Sequence, residues 1–171
     1  MAGSRIAPRP PGTSCVRGWR IAIAAMSSRP RGLIDTRAIL ALLDRADRWH
    51  GPCAEVFREL LLPLATSAAV LAELFHLLDS PQEKLAAWGF LRSGAVVVLP
   101  ITSSDLPALE ELMHRYDDRP MDFADATLVL LAKRESLSTI FTVDHNDFET
   151  YRIEGKQRFH IVPERSRRPL N

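Results

Sequence analysis

The segment MDFADATLVLLAKRESLSTIFTVD, residues 121–144, joins a helix pattern to a strand pattern. Residues three and four apart share one face of a helix, so one face carries two acids and then two apolar residues: Asp122, Asp125, Val129 and Ala132. Carboxylates seldom enter a forming core unless something pairs with them. The strand pattern STIFTVD (138–144) also ends in an acid. The segment therefore predicts a buried helix and strand with unexplained carboxylates.

Strands and helices alternate along the rest of the chain. AVVVLP (95–100) is β-branched and continuous, which is typical of a buried parallel strand. The other predicted strands are GLID (32–35), PLAT (63–66) and RFHIVP (158–163). Helical spacing is found between them, over 36–49, 52–61, 68–78, 81–91 and 102–116. This order predicts a single α/β domain, with a mainly parallel central sheet flanked by helices.

Charge is distributed unevenly along the 171 residues. The formal net charge is +1, yet residues 1–31 contain six arginines and no acid, and further arginines follow residue 164. We divide the chain into a basic extension (1–30) expected to be disordered, an acidic folded domain (31–163) and a basic tail (164–171). Met26 is a candidate for the true start of translation.

Several classes of protein are disfavoured. No apolar run reaches the ~18 residues of a membrane span. Cys15 and Cys53 form no metal-binding spacing, so a reduced, cytoplasmic protein is expected. The P-loop, dinucleotide-binding and serine-hydrolase motifs are missing from the sequence.

The acids are predicted to meet at one place. Ligands of open parallel sheets bind beyond the carboxyl ends of the strands. Asp35 and Asp144 end predicted strands, Asp122 and Asp125 begin a helix, and Glu73 lies inside a helix between apolar neighbours. Segments far apart in sequence therefore bring carboxylates to one edge.

Each acid also has an ordinary interpretation. Asp35 and Asp122 suit helix caps, Asp144 and Asp147 suit turns, and Glu73 suits a solvated helix position. These interpretations together require independent coincidences at one edge. Carboxylates packed together need raised pKa values or a cation, and all-oxygen ligands select Mg²⁺ or Mn²⁺.

Four segments, in this order, resemble the acidic motifs of PIN domains: GLIDTRAIL, SAAVLAELFHLL, DFADATLVLLA and IFTVDHNDF. They are most similar to the VapC-type toxins of bacterial toxin–antitoxin pairs, over residues 31–163. The family's first aspartate, followed by Thr or Ser, matches Asp35. Its helical glutamate matches Glu73, and its third acid matches Asp125, with Asp122 as an accessory acid.

The family's fourth acid matches Asp144, with Asp147 as a further candidate. His145 and Asn146 stand between them, where a basic residue is often seen. The resemblance implies an Mg²⁺- or Mn²⁺-dependent endoribonuclease that forms a homodimer and is silenced by an antitoxin. Thr36 and Thr142 are expected to hydrogen-bond the ligand carboxylates.

The resemblance suggests roles for the site residues. Asp35, Asp125 and Asp144 are expected to bind the metal directly, and Glu73 either binds it or orients the attacking water. Arg37, Arg119 and the basic tails are candidates for holding the RNA backbone, whereas RADR (45–48) and RSRR (165–168) are interpreted as solvated charge. No stacking platform of aromatic side chains is predicted.

Three other functions are compatible with parts of this pattern. An aspartate-based phosphohydrolase would need a second Asp where Arg37 stands. A catalytically silent PIN-fold module that binds RNA or an antitoxin would not need the complete set of acids. A PIN nuclease of RNA processing or DNA repair would keep the acids but act outside a toxin–antitoxin pair.

Overall fold

The central sheet is parallel throughout. The computed structural model describes residues 29–119 and 121–165. Within them five strands pair in the order β3-β2-β1-β4-β5. The strands are β1 (Leu33–Ile34), β2 (Leu64–Ser67), β3 (Val96–Leu99), β4 (Thr139–Phe141) and β5 (His160–Val162). The predicted α/β class is confirmed, and the strand order reverses between β1 and β4.

Helices connect these strands. Their bounds are α1 (Thr36–Leu43), α2 (His50–Glu59), α3 (Ala68–Leu77), α4 (Pro81–Leu91), α5 (Leu106–Arg115), α6 (Phe123–Glu135) and α7 (His145–Thr150). Serine caps begin two of them: Ser67 accepts from the Val70 N–H, and Ser80 forms a reciprocal capping box with Glu83. No helix among the described residues is long and apolar enough to cross a bilayer.

The core lies on both faces of the sheet. Neighbouring side chains in a strand point to opposite faces, so Leu33 and Ile140 belong to one cluster and Ile34 and Phe141 to the other. The first cluster includes most of α6, which is buried nearly all round. This burial holds the start of α6 against the sheet.

Helix α1 is shorter than predicted. It ends at Leu43, so the expectation of a helix over 36–49 is wrong beyond that residue. The Asp44 side chain accepts from the Ala46 N–H at 2.8 Å, and the Asp47 side chain accepts from the Trp49 N–H at 2.6 Å. These local bonds replace helical ones and turn the chain.

Strand β3 is an edge strand rather than a fully buried one. Val98 is 46% exposed, and the strand pairs with β2 alone. A run of β-branched residues fits an edge strand as well as a central strand, so the sequence does not predict which kind β3 is. The predicted extension over 1–30, including Met26, lies outside the described residues except for its last two positions, and most of the predicted tail over 164–171 also lies outside them.

Candidate metal and active site at the carboxyl edge of the sheet

Asp35 lies where β1 ends and α1 begins. Its Oδ1 accepts from the Thr36 N–H at 2.6 Å, and its Oδ2 accepts from the Thr142 hydroxyl at 2.8 Å. Thr142 directly follows β4, the strand beside β1. Both carboxylate oxygens are therefore held at the switch point of the sheet, where ligands of such folds bind.

The environment of Asp35 favours its protonated form. Burial raises the pKa of this carboxyl to about 6, and the nearby charge of Glu73 adds to the rise. The hydrogen bonds from Thr142 and Thr36 act in the opposite direction, since they stabilise the charged form. The side chain is 3% exposed, so water screens this charge little.

Glu73 on α3 is attached to the same corner. The Thr36 hydroxyl lies 2.7 Å from Glu73 Oε2 and 3.2 Å from the Val70 carbonyl oxygen. Thr36 thus connects Asp35, through its N–H, to Glu73, through its hydroxyl. The half-buried position of Glu73 replaces the solvated one that a helical Glu usually has.

The start of α6 carries the next two acids. Asp122 caps the helix, because its Oδ1 accepts from the Asp125 N–H at 2.8 Å. Asp125 itself is 8% exposed, and its Oδ2 accepts from the Tyr151 hydroxyl at 3.2 Å. The Ser67 and Thr127 hydroxyls, 2.7 Å apart, join the end of β2 to α6. Asp122 therefore caps the helix, as its ordinary interpretation predicts. It is exposed, whereas the neighbouring Asp125 is buried.

Asp125 is the most perturbed carboxyl of the cluster. Burial raises its pKa to about 8, and the charges of Asp35, Asp122 and Asp147 raise it further, against the opposing hydrogen bond from Tyr151. None of the described groups that shift the pKa of Asp125 is a cation, so its charged form has no cationic partner among them.

Asp144 and Asp147 complete the group. Asp144 stands at the N-cap of α7, but its side chain makes no capping hydrogen bond. Burial and the charge of Asp144 raise the pKa of Asp147, while Arg119 and Arg37 lower it. Each of the six predicted acids thus interacts electrostatically with at least one other.

Tyr151 is a residue of the site that sequence reasoning missed. It follows α7 directly, is 1% exposed, and donates its hydroxyl to Asp125 from a ring packed edge-on against Phe148. Burial and the neighbouring Asp125 raise the pKa of its phenol well above the usual value. Its immediate neighbours in the sequence, Thr150 and Arg152, are polar, so no local pattern identifies it as a buried residue of the site.

The donor chemistry of the cluster suits a hard cation. The side chains offer oxygen atoms alone, and the buried carboxyls repel one another, which is the situation that a divalent ion relieves. In the conformation described, no three His, Cys, Asp or Glu side chains of residues 29–119 and 121–165 are arranged to hold a metal. Binding would therefore draw the side chains together, and no capping hydrogen bond of the Asp144 side chain would have to break.

Two grooves adjoin the acids. The first, of about 770 Å³, has mainly apolar walls from α3, the segment before α5 and the start of α6; we call it the apolar groove. It includes Glu73 and Asp122 together with Ala69, Ile101, Leu106 and Phe123. Phe123 and Leu106 are about half exposed, which leaves an unfilled apolar surface beside the carboxylates.

The second groove, of about 930 Å³, lies on the Asp144 side; we call it the arginine groove. It is lined by Arg37, Arg48 and Arg165, with Trp49 and Asp144 among its other residues. Arg48 and Arg165 are both exposed, so the interpretation of RADR and RSRR as solvated charge is compatible with their place in this groove. Arg119, the other candidate for RNA contact, donates to the Thr150 hydroxyl at 2.6 Å.

The fold and the cluster of acids agree with comparisons to known proteins. The PIN domain model matches residues 32–154. The chain belongs to the PIN-domain family. It is 31% identical over 134 residues to Ribonuclease VapC26 of Mycobacterium tuberculosis (strain ATCC 25618 / H37Rv), a match that covers 77% of this chain and 99% of the relative.

A solved structure is similar as well. The crystal structure of Mycobacterium tuberculosis VapC20, described as a Sarcin-Ricin loop cleaving toxin, superposes with a TM-score of 0.62 at 25% identity. The match covers 67% of this chain and 90% of that one. The predicted resemblance to VapC-type PIN domains is confirmed by these matches.

Proposed function

We propose that this PIN-domain protein is a divalent-metal-dependent endoribonuclease and the toxin of a type II toxin–antitoxin pair. One observation carries the proposal: carboxylates from α3, the start of α6 and the ends of β1 and β4 lie at one edge, where burial and neighbouring charges raise the pKa values of Asp35, Asp125 and Asp147. A structural cluster of this kind would be costly without a cation. The named ribonuclease relative supplies the reaction class.

The chain's own residues suit Mg²⁺ or Mn²⁺. Asp35, Asp125 and Asp144 would hold the ion directly, with Asp122 and Asp147 as further ligands. When bound, such an ion lowers the pKa of a water and offsets charge on the phosphate of the scissile bond. PIN ribonucleases generally depend on a divalent metal, and the oxygen donors here fit that requirement.

The neighbouring side chains position the reacting groups. Thr142 and the Thr36 N–H hold the Asp35 carboxylate in one orientation, and second-shell donors of this kind orient metal ligands. Glu73 has one oxygen held by the Thr36 hydroxyl, so its other oxygen would either bind the ion or orient the attacking water. Attack on the phosphodiester then breaks the bond to the leaving oxygen of the RNA chain.

Two exposed apolar surfaces are candidates for the proposed partners. A segment of a cognate antitoxin would occupy the apolar groove, since Phe123 and Leu106 offer apolar contact next to Glu73. A homodimer would cover the exposed apolar residues of α4, Leu85 and Trp88, which are 67% and 51% exposed. The protein would act in the cytoplasm, where its RNA substrate and antitoxin are made.

The test is cleavage of total cellular RNA by purified, antitoxin-free protein. Wild type and Asp125→Asn would be incubated with Mg²⁺, with Mn²⁺ and with EDTA. Discrete fragments that need both a metal and Asp125 are expected. Wild-type protein that leaves RNA intact with either metal, while its fold is verified by circular dichroism, would replace the nuclease with a silent binding module.

A further inference from the structure

We propose that the arginine groove binds the sugar–phosphate backbone of the RNA strand next to the scissile bond. The inference rests on the proposed function and adds the place where the substrate lies. Asp144 belongs both to this groove and to the cluster of acids, and Arg37 stands two residues after Asp35. A strand whose phosphodiester is at the acids therefore continues directly into this groove.

Two guanidinium groups in the groove are available to a ligand. Among residues 29–119 and 121–165, Arg37 and Arg48 form no ion pair with a carboxylate, and both are exposed. A guanidinium presents five N–H donors in a planar fork that matches the oxygens of a phosphate.

An aromatic stack holds Arg48 in place. Its guanidinium carbon lies 5.9 Å from the centre of the Trp49 ring, within cation–π range. The other neighbour of Trp49 is His145, with ring centres 5.4 Å apart. His145 is buried, and its two ring nitrogens lie within hydrogen-bond distance of the Val143 and Pro163 carbonyls. Arg48 is thus supported from the ends of β4 and β5.

Arg165 has a different role in the wall. It donates to Asn146 and lies 3.8 Å from the Glu149 carboxylate, so its charge is already partly offset. It keeps the segment after β5 against α7. The donors left for substrate therefore belong to Arg37 and Arg48.

The acids in the groove do not oppose this assignment. Asp47 accepts from the Trp49 N–H and shapes the turn that carries Arg48. Asp144 is a proposed metal ligand, whose charge a bound cation would offset. Among the described residues that line it, the apolar groove presents Glu73 and Asp122 and no arginine or lysine. Phosphates that flank the scissile bond therefore find their donors on the Asp144 side.

The experiment measures RNA binding in an Asp125→Asn background, so that the probe is not cut. Arg37→Gln, Arg48→Gln and the double variant would be titrated against a short fluorescein-labelled single-stranded RNA at several salt concentrations. Arg92→Gln is the matched control, because Arg92 is exposed and follows α4 at the opposite edge of the sheet. Thermal melting of every variant checks that the fold is kept.

Each groove variant should weaken binding roughly tenfold, as expected for a lost charged hydrogen bond. Each should also reduce the slope of log affinity against log salt by about 0.7, the value for one phosphate contact with a single strand. Arg92→Gln should change neither quantity. Groove variants that bind like Arg92→Gln would overturn the assignment.

A competition experiment separates RNA from an acidic peptide. Unlabelled RNA should displace the labelled RNA far better than poly-glutamate of equal charge; equal displacement would show that the groove recognises acidic protein instead. The two proposals also fail separately. If wild type cuts RNA but the groove variants bind RNA normally, the assignment of the groove fails and the proposed nuclease stands. If RNA binding depends on the arginines but wild type cuts no RNA, the proposed nuclease fails and the assignment of the groove stands.

Discussion

Asp35 and Asp125 are buried carboxyls of one cluster, but their surroundings differ. Asp35, at a strand end, accepts hydrogen bonds on both oxygens, and its pKa is raised to about 6. Asp125, on the first turn of α6, accepts one side-chain hydrogen bond, is opposed by three carboxylates, and has a pKa raised to about 8.

The difference indicates that the two carboxylates contribute to the site in different ways. The sheet supplies a carboxylate that is fixed in direction by its neighbours, before any ligand arrives. The helix supplies a carboxylate whose ionised form is poorly supported by the protein, so that its charge is stabilised mainly by what binds. A cation should therefore affect Asp125 more than Asp35.

The largest effect is expected from removing either charge. Asp125→Asn and Asp35→Asn should each reduce RNA cleavage by more than the ~100-fold that outer-shell changes can cost. Their stabilities should differ: without metal at pH 8, Asp125→Asn should melt several degrees above wild type, because a repelled charge is lost. Asp35→Asn should raise the melting temperature less. Both oxygens of Asp35 accept hydrogen bonds, and the amide nitrogen that replaces one of them cannot accept.

Calorimetry at pH 8 in EDTA measures the two melting temperatures. Exposed Glu110→Gln on α5, away from the cluster, is a suitable control and should leave melting and cleavage unchanged. Equal gains from both cluster variants would contradict the distinction between the two carboxyls.

Removing the support of Asp35 should have the next largest effect. Thr142→Val keeps the volume of the side chain and deletes the donor to Asp35 Oδ2. Cleavage should fall by roughly 10- to 100-fold, the range for second-shell partners of a metal ligand. Part of the loss should be recovered by higher Mg²⁺ concentration, which a titration of initial rate against Mg²⁺ would measure. Thr142→Ser should retain most of the activity.

The raised pKa values predict a dependence of metal-free stability on pH. Both carboxyls hold their protons more tightly in the folded chain than in the unfolded one. Their favourable contribution to folding stability is therefore complete below a pH of about 4, and it is lost as the pH rises through about 6 for Asp35 and about 8 for Asp125. In EDTA, the advantage of Asp125→Asn over wild type should therefore grow from pH 5 to pH 9. Saturating Mg²⁺ should stabilise wild type and reverse that order at pH 8. A constant difference across this range would show that Asp125 titrates normally.

The smallest effect is expected at Tyr151. Tyr151→Phe removes one hydrogen bond, worth about 1 kcal/mol net, and keeps the packing against Phe148. Because the lost bond lowers the pKa of Asp125, the variant should need slightly more Mg²⁺ for half-maximal cleavage, while its maximal rate stays within a few-fold of wild type. A loss as large as that of Asp125→Asn would make Tyr151 part of the reaction itself.

The acids and the sheet could be predicted because each leaves a local signal. Asp35 and Asp144 follow short apolar strands, and Asp125 interrupts an otherwise apolar helix. The alternation of strands and helices then predicts that such acids meet at one edge.

Other parts of the site leave no such signal. The contact between Tyr151 and Asp125 spans 26 residues, and the arginine groove joins Arg48, after α1, to Arg165, after β5. Such contacts depend on how helices pack, which charge patterns and periodicity do not specify. The early end of α1 was likewise decided by side-chain bonds of Asp44 and Asp47, residues that can equally stay in solvent.

The hydrogen bond between Thr142 and Asp35 joins residues 107 apart in sequence. At synthesis rates of about 5–20 residues per second, a ribosome needs roughly 5–20 s to travel from one to the other. During that time a nascent chain carries Asp35 without β4, so the cluster cannot assemble. If cleavage of RNA needs the assembled cluster, the chain cannot act before Thr142 has been synthesised.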